Sequence, residues 1–175
     1  MRPLVAMLVV LAAGAARADL EPGHVVDTRA SKTQREAARV ASEAAQALTQ
    51  GDFAGAISLA DKSIAVDANT AWAHYVRGES LVRTSKVDDA IAELRIAESA
   101  FPANERWSKS IAIWARANAY YQLGRCTEAK TAFNEYIAFV RADDKNAVEM
   151  AQTHIDGCKG PWVPPATVTP PSTHQ

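Results

Sequence analysis

The sequence holds 175 residues, 48% of them hydrophobic but only 7% aromatic, enough apolar material for one domain with a core of its own. Alanine dominates the apolar set. That suits closely packed helices and argues against a β-sandwich, whose strands draw on β-branched and aromatic residues. A formal net charge of -1 gives no electrostatic ground for binding nucleic acid or an anionic membrane surface.

The first elements in chain order are a leader and a linker. Arg2 supplies a positive start, Leu4 to Ala13 is an apolar run too short to span a bilayer comfortably, and Ala16-Arg17-Ala18 places small residues before Asp19. This pattern predicts a signal peptide over residues 1–18, cleaved after Ala18. It implies a periplasmic or secreted chain with no stable membrane insertion after cleavage, an uncleaved anchor helix being the competing reading. No cysteine follows the run, which argues against a bacterial lipid anchor. Residues 19–31, with Pro22 and Gly23, read as a flexible lead-in. From Ser31 or Lys32 a helical pattern begins, with alanines at helical spacing in AARVASEAAQALTQ, and Gly51 is its stop signal.

Sliding the chain against itself exposes a repeat. At a shift of about 34 residues, Ala44 falls on Gly78, Ala47 on Leu81, Phe53 on Val87, Ala56 on Ala90, Ala60 on Leu94 and Ala68 on Pro102. GDFAGAISLADKSIAVDAN and SKVDDAIAELRIAESAFPAN are thus two copies of one pattern, and YYQLGRCTEAKTAFNEYIAF is a third. In the third copy Gly124 corresponds to Ser85, Ala129 to Ala90 and Phe133 to Leu94, with five extra residues before it. Those extra residues are placed at the N-terminal end of the third pair's first helix, around Asn104 to Lys109.

The pattern resembles the tetratricopeptide repeat family. Gly78 and Ala44 are small where the two helices of a pair approach, as are Ala56, Ala90 and Ala129 on the second helix, and Leu81 and Tyr120 fill the space between helices. Pro102 stands where a second helix must stop. The resemblance covers roughly residues 37–140 and is best in the second repeat. The first departs at Ala68, in place of the proline, and the third at Tyr136, where a small residue is usual, and by lacking a terminal proline. The resemblance implies an all-α fold, a right-handed αα-solenoid of about three helix-turn-helix repeats over residues 32–158, with a C-terminal capping helix.

The cap is KNAVEMAQTHIDGCKG, in which Val148, Ala151 and Ile155 share one helical face that would cover the last apolar surface of an array. Residues 159–175 carry a run of prolines and read as an extended tail. Cys126 falls at the start of the third pair's second helix and Cys158 at the end of the cap. If those helices are antiparallel neighbours the two thiols meet, and an oxidising compartment would let them pair. The competing reading, a catalytic or metal-binding thiol pair, has neither a CxxC spacing nor enough ligands for a closed zinc site.

Signals for chemistry are sparse. His24, His74, His154 and His174 stand apart, with no HExxH, no phosphate loop and no nucleophile elbow. Asp88-Asp89 and Asp143-Asp144 are explained by the dipole at helix starts. No catalytic residue, metal or cofactor is expected, and the chain is read as not an enzyme.

In the resembling family the first helix of each pair lines a concave face. On this register Trp72, Tyr75, Glu79, Val82 and Arg83 of the second pair face inward, with Ile111, Trp114, Asn118, Tyr121 and Gln122 of the third. Trp72, Tyr75, Glu79, Arg83, Trp114, Asn118 and Tyr121 are the candidate partner-binding set. Aromatics flanked by hydrogen-bonding groups suit an unidentified protein or peptide partner. Trp72 and Trp114 equally admit a reading as core. Trp107, in the inserted segment, has no readable role. The face lacks the lysines with which some family members clamp a C-terminal carboxylate. The expected function is a non-catalytic interaction module of the bacterial cell envelope. The alternative is a self-associating structural component, a homo-oligomer.

Overall fold

The structure is a computed structural model and describes residues 30–140 and 144–159. The expected signal peptide, most of the lead-in and the proline-rich tail lie outside the described residues. Seven helices and no strands occur among the described residues: α1 (Lys32–Thr49), α2 (Phe53–Val66), α3 (Ala71–Arg83), α4 (Val87–Ala100), α5 (Arg106–Gln122), α6 (Cys126–Phe139) and α7 (Lys145–Gly157). They pack as consecutive pairs, α1 with α2, α3 with α4 and α5 with α6. α2 lies on α3, α4 on α5, and α7 on α6.

Local sequence sets the boundaries. Ser31 caps α1: its Oγ accepts from the Gln34 amide at 3.1 Å while its own amide donates to Gln34 Oε1 at 2.8 Å, which satisfies two otherwise orphaned donors. Asp52 and Asp144 do the same for α2 and α7, accepting from the amides of Gly55 and Ala147. Asp88 and Asp89 sit in the first turn of α4, where the helix dipole favours their charge. Within each pair the turn is the same. Gly51, Ser85 and Gly124 occupy equivalent places and all have positive φ, 81°, 64° and 67°. Glycine adopts that conformation at little cost, whereas Ser85 holds it against its side chain.

Small residues let the helices close up. Ala56, Ala90 and Ala129 are each 0% exposed, so the repeating positions point into the packed interface between rods and not into water. Ala44 is likewise buried, and Leu81 and Tyr120 lie between helices as expected. Ser63 is buried too, and its Oγ donates to the Ala37 carbonyl at 2.7 Å, tying α2 to α1. Tyr136, which replaces a small residue, stacks its ring 5.0 Å from that of Trp114. The five extra residues of the third repeat appear mainly as helix: α5 has 17 residues against 13 in α3, extended at its N-terminal end.

The closest approach is at Gly78. A Cβ there would lie 2.7 Å from Leu94 Cγ, 2.9 Å from Leu94 Cδ2 and 3.3 Å from the Ala90 carbonyl oxygen. Leu94 is fully buried and has no room to withdraw. Gly78→Ala gains about 0.5–1 kcal/mol of helix propensity and loses roughly 1–3 kcal/mol to overpacking. A net fall in the urea midpoint is expected. A rise would mean that α3 and α4 separate freely at this point.

Cys126 and Cys158 meet as the antiparallel arrangement of α6 and α7 requires, with their sulfurs 2.03 Å and their Cα atoms 5.5 Å apart. No helix among the described residues is long and apolar enough to cross a membrane.

Candidate functional site

The first helices lie closest together: α1 packs on α3 and α3 touches α5, while α2 and α4 scarcely meet. The first helices α1, α3 and α5 thus adjoin along one face of the array. On α1 this face is built from Ala41 and Ala45, which are buried against α3. On α3 it carries Trp72, Tyr75, Glu79 and Arg83, spaced three or four residues apart and so aligned on one side of the helix. Trp72, Tyr75 and Glu79 are half-buried and Arg83 is exposed.

Trp72 stands at the junction of the second and third pairs. Its ring meets Phe101 edge-on at 5.2 Å, Tyr75 at 5.6 Å and Trp107 at 6.3 Å. Trp72 thus packs against buried Phe101 and remains partly accessible. Trp107 is 41% exposed and extends this aromatic wall onto α5. The sequence did carry a signal for it: Trp107 precedes Trp114 by two helical turns, on the same side of a helix lengthened toward its N-terminus.

The third pair is arranged differently. Trp114 packs against Phe133 at 5.3 Å, Tyr136 at 5.0 Å and His154 at 5.2 Å, and Tyr121 meets His154 at 5.3 Å. His154 belongs to α7, so the cap covers these rings. Asn118 Nδ2 donates to the Trp114 carbonyl at 3.2 Å. The structure therefore brings Trp72, Tyr75, Glu79 and Arg83 together with Trp107, and places Trp114 and Tyr121 in the packing between α5 and α7.

No hydrogen bond or ion pair joins the Trp72 indole, the Tyr75 hydroxyl or the Glu79 carboxylate to any described residue. Burial pushes the Tyr75 phenol up, Glu79 adding to the rise and Arg83 opposing it. Burial also raises the Glu79 carboxyl against the pull of Arg83. These groups have no hydrogen-bond partner among the described residues, and all remain partly accessible.

Other charged groups pair between helices, although Arg77 Nε makes no hydrogen bond of good geometry. Arg77, on another side of α3, places Nη1 2.6 Å from Glu93 Oε1 of α4 and Nε 2.8 Å from Asp61 Oδ1 of α2. Arg116 holds the equivalent position on α5 and bridges Glu98 of α4 and Glu135 of α6 at 2.5 and 2.6 Å. Each arginine thus links the second helices of neighbouring pairs. These bridges went unread in the sequence. Beside Arg77 and Glu93 opens a cleft of about 490 Å³ that also takes in Asp61, Lys86 and Asp89.

His74 is buried in the same network. Its Nδ1 lies 2.7 Å from Glu93 Oε2 and its Nε2 3.0 Å from the Ala68 carbonyl. Both neighbours are acceptors, so both ring nitrogens donate when the imidazole is charged. The Glu93 hydrogen bond raises the His74 pKa, against desolvation. Burial pushes the Glu93 carboxyl up, but His74 and Arg77 outweigh it and hold it below its ordinary value. Ala68, which replaces the proline of the next repeat, is thereby held at its carbonyl by His74.

A pH dependence follows. The raised His74 contributes stability that is complete below the unfolded value of about 6.5 and is lost as pH rises through its folded value. The lowered Glu93 contributes above about 4.3 and loses it as pH falls through its folded value. The pair stabilises most between those limits. The urea midpoint should fall from pH 6 to pH 9, and His74→Gln should flatten that fall. An unchanged slope in the variant would remove His74 from the account.

No protein-family model matches the chain, and no curated protein matches it either. Among the described residues, no group of three or more histidine, cysteine or acidic side chains is placed to hold a metal ion.

Proposed function

We propose that this chain is an exported, non-catalytic protein-interaction module of the bacterial cell envelope, a tetratricopeptide-like right-handed solenoid of about three helix pairs with a terminal cap. It holds a peptide segment of a partner on the face of α3, walled by Trp72, Tyr75 and Trp107. The observation that carries this reading is the aromatic wall itself, Trp72 against Tyr75 and Trp107 at the junction of the second and third pairs, with Trp107 41% exposed. The side chains of Trp72, Tyr75 and Glu79 make no hydrogen bond to other described residues and remain partly accessible on that face. Aromatic anchors beside unpaired polar groups make a surface whose hydrogen bonds a ligand can complete.

The equivalent turns at Gly51, Ser85 and Gly124, the close approach at Gly78 and the buried alanines support the repeat architecture. The paired cysteines and the leader-like opening sequence support an oxidising compartment outside the cytoplasm.

A photo-crosslinking residue in place of Trp107, which is exposed and so alters the core least, tests the reading in intact cells. It should capture a discrete partner, and the same probe at exposed Thr131 on α6 should not. Tyr75→Ala should abolish the adduct while circular dichroism keeps its helical signal. Equal capture from both positions, or capture that survives Tyr75→Ala, would count against the groove. Adducts made solely between two copies of the chain would favour self-association.

A further inference from the structure

The face of α3 has one carboxylate on its inward side, and no hydrogen bond or ion pair within 4.0 Å meets it, although Arg83 acts on it from a greater distance. Glu79 follows Tyr75 by one turn and is half-buried. Arg83 follows Glu79 by one more turn, yet no ion pair within 4.0 Å joins them. Two other acids packed between helices are met directly. Glu93 is met by His74 and Arg77, and Glu98 by Arg116. At the equivalent position of α5 stands neutral Asn118, whose amide is already engaged with the Trp114 carbonyl. On the inward face of α3, then, a half-buried carboxylate without a direct partner follows the Tyr75 ring by one turn.

Resting on the binding-module reading above, we propose that this face selects a peptide bearing a basic side chain, a lysine or arginine whose stem lies on the Trp72 and Tyr75 rings and whose charge meets the Glu79 carboxylate. Three physical terms converge on that chemistry. A carboxylate held against low-dielectric surface gains more from a cation than one in open water. A charge-assisted hydrogen bond is stronger than a neutral one. Aromatic faces attract cations and also cover the aliphatic stem of lysine or arginine. The near-perpendicular Trp72 and Tyr75 rings, 89° between planes, offer a stem both a face and an edge. An acidic peptide side chain at the Glu79 position would instead set like charges together. A purely apolar one would seal Glu79 away without a partner, which is costly.

The test uses the full folded chain with its disulfide intact and a display library of random seven-residue peptides. Selection on the unmodified chain should enrich lysine or arginine at one position. Replacing that residue by glutamine in a synthetic peptide should weaken binding at least tenfold by calorimetry. Glu79→Gln, which keeps the side-chain shape, should bind the basic and the glutamine peptides equally. Peptides that need no basic residue, or that bind Glu79→Gln as tightly, would overturn the assignment of charge. The groove itself would still stand if Tyr75→Ala abolished their binding. Failure to enrich any peptide, or binding indifferent to both Tyr75→Ala and Trp107→Ala, would overturn the groove and the charge assignment together.

Discussion

Cys126→Ser/Cys158→Ser is expected to lower the unfolding free energy by roughly 3–4 kcal/mol and to loosen α7 first. The bond spans 32 residues, and in the chain-entropy model a loop of that size removes about that much freedom from the unfolded chain. The locality follows from what else holds the cap. Only Ala147 and Ala151 of α7 are buried, and two alanines bury little apolar area. The remaining grip is His154 against the rings of Trp114, Tyr121 and Phe133, with half-buried Ile155 beside it. Amide exchange should therefore accelerate in α7 before it does in α3 or α4, and Trp114 fluorescence should change as its cover lifts. Uniform acceleration along the chain, or an unchanged urea midpoint, would show that α7 docks without the bond.

Arg116→Ala should cost about 3–5 kcal/mol, the range for removing one partner of a buried ion pair. Arg116 is 7% exposed, and its side chain meets Glu98 on one side and Glu135 on the other. Burial pulls its pKa down, but the two carboxylates outweigh that and hold the guanidinium charged. Burial also pushes Glu98 up, more than Arg116 pulls it down, with Glu135 adding to the rise. The two partners thus point in different directions. The contact geometry favours the ionised pair, because an arginine stays charged at any working pH, and the strain of burial falls on Glu98. Without Arg116 that carboxylate loses its counter-ion and takes up a proton more readily. The deficit of Arg116→Ala should consequently shrink as pH falls, since a raised acid stabilises on its protonated side. Glu98→Gln in the same background should recover part of the loss. A single-variant cost under about 1 kcal/mol, the range of exposed pairs, would mean that water enters this junction.

These two results bear on function through rigidity. The aromatic wall is built from Trp72 on α3 and Trp107 on α5, so its shape depends on how the second and third pairs sit together. Arg116 fixes α4, α5 and α6 at that junction. Arg77 and His74 do the same for α2, α3 and α4. A pre-set groove loses less ordering entropy on binding a peptide than a loose one.

The bridges illustrate why part of the structure could not be read from residue order. Arg77 and Arg116 coincide when the repeats are superposed, yet their acidic partners do not. Glu98 and Glu135 each lie one helical turn beyond the positions matching Asp61 and Glu93. A long arginine side chain reaches either turn, so the network is conserved in space and not in register. Trp114 and Tyr121 show the same limit. Their spacing matches Tyr75 and Val82 of the preceding pair, and it is the packing of α7, through His154, that covers them.

What the residue order determined is what short-range physics controls. Ser31, Asp52 and Asp144 start helices because their side chains satisfy free amides. Gly51 and Gly124 turn the chain because they tolerate positive φ. Recurring alanines and Gly78 mark where rods touch because a larger side chain would not fit there. The pairing of Cys126 with Cys158 followed from the antiparallel order of two neighbouring helices. Tertiary structure alone decided which polar groups are satisfied and which are left open. Hydrogen bonds and ion pairs form between residues far apart in sequence, at distances that no periodicity encodes. That partition buried His74 and Arg116 in pairs and left Glu79 unpaired beside Trp72 and Tyr75.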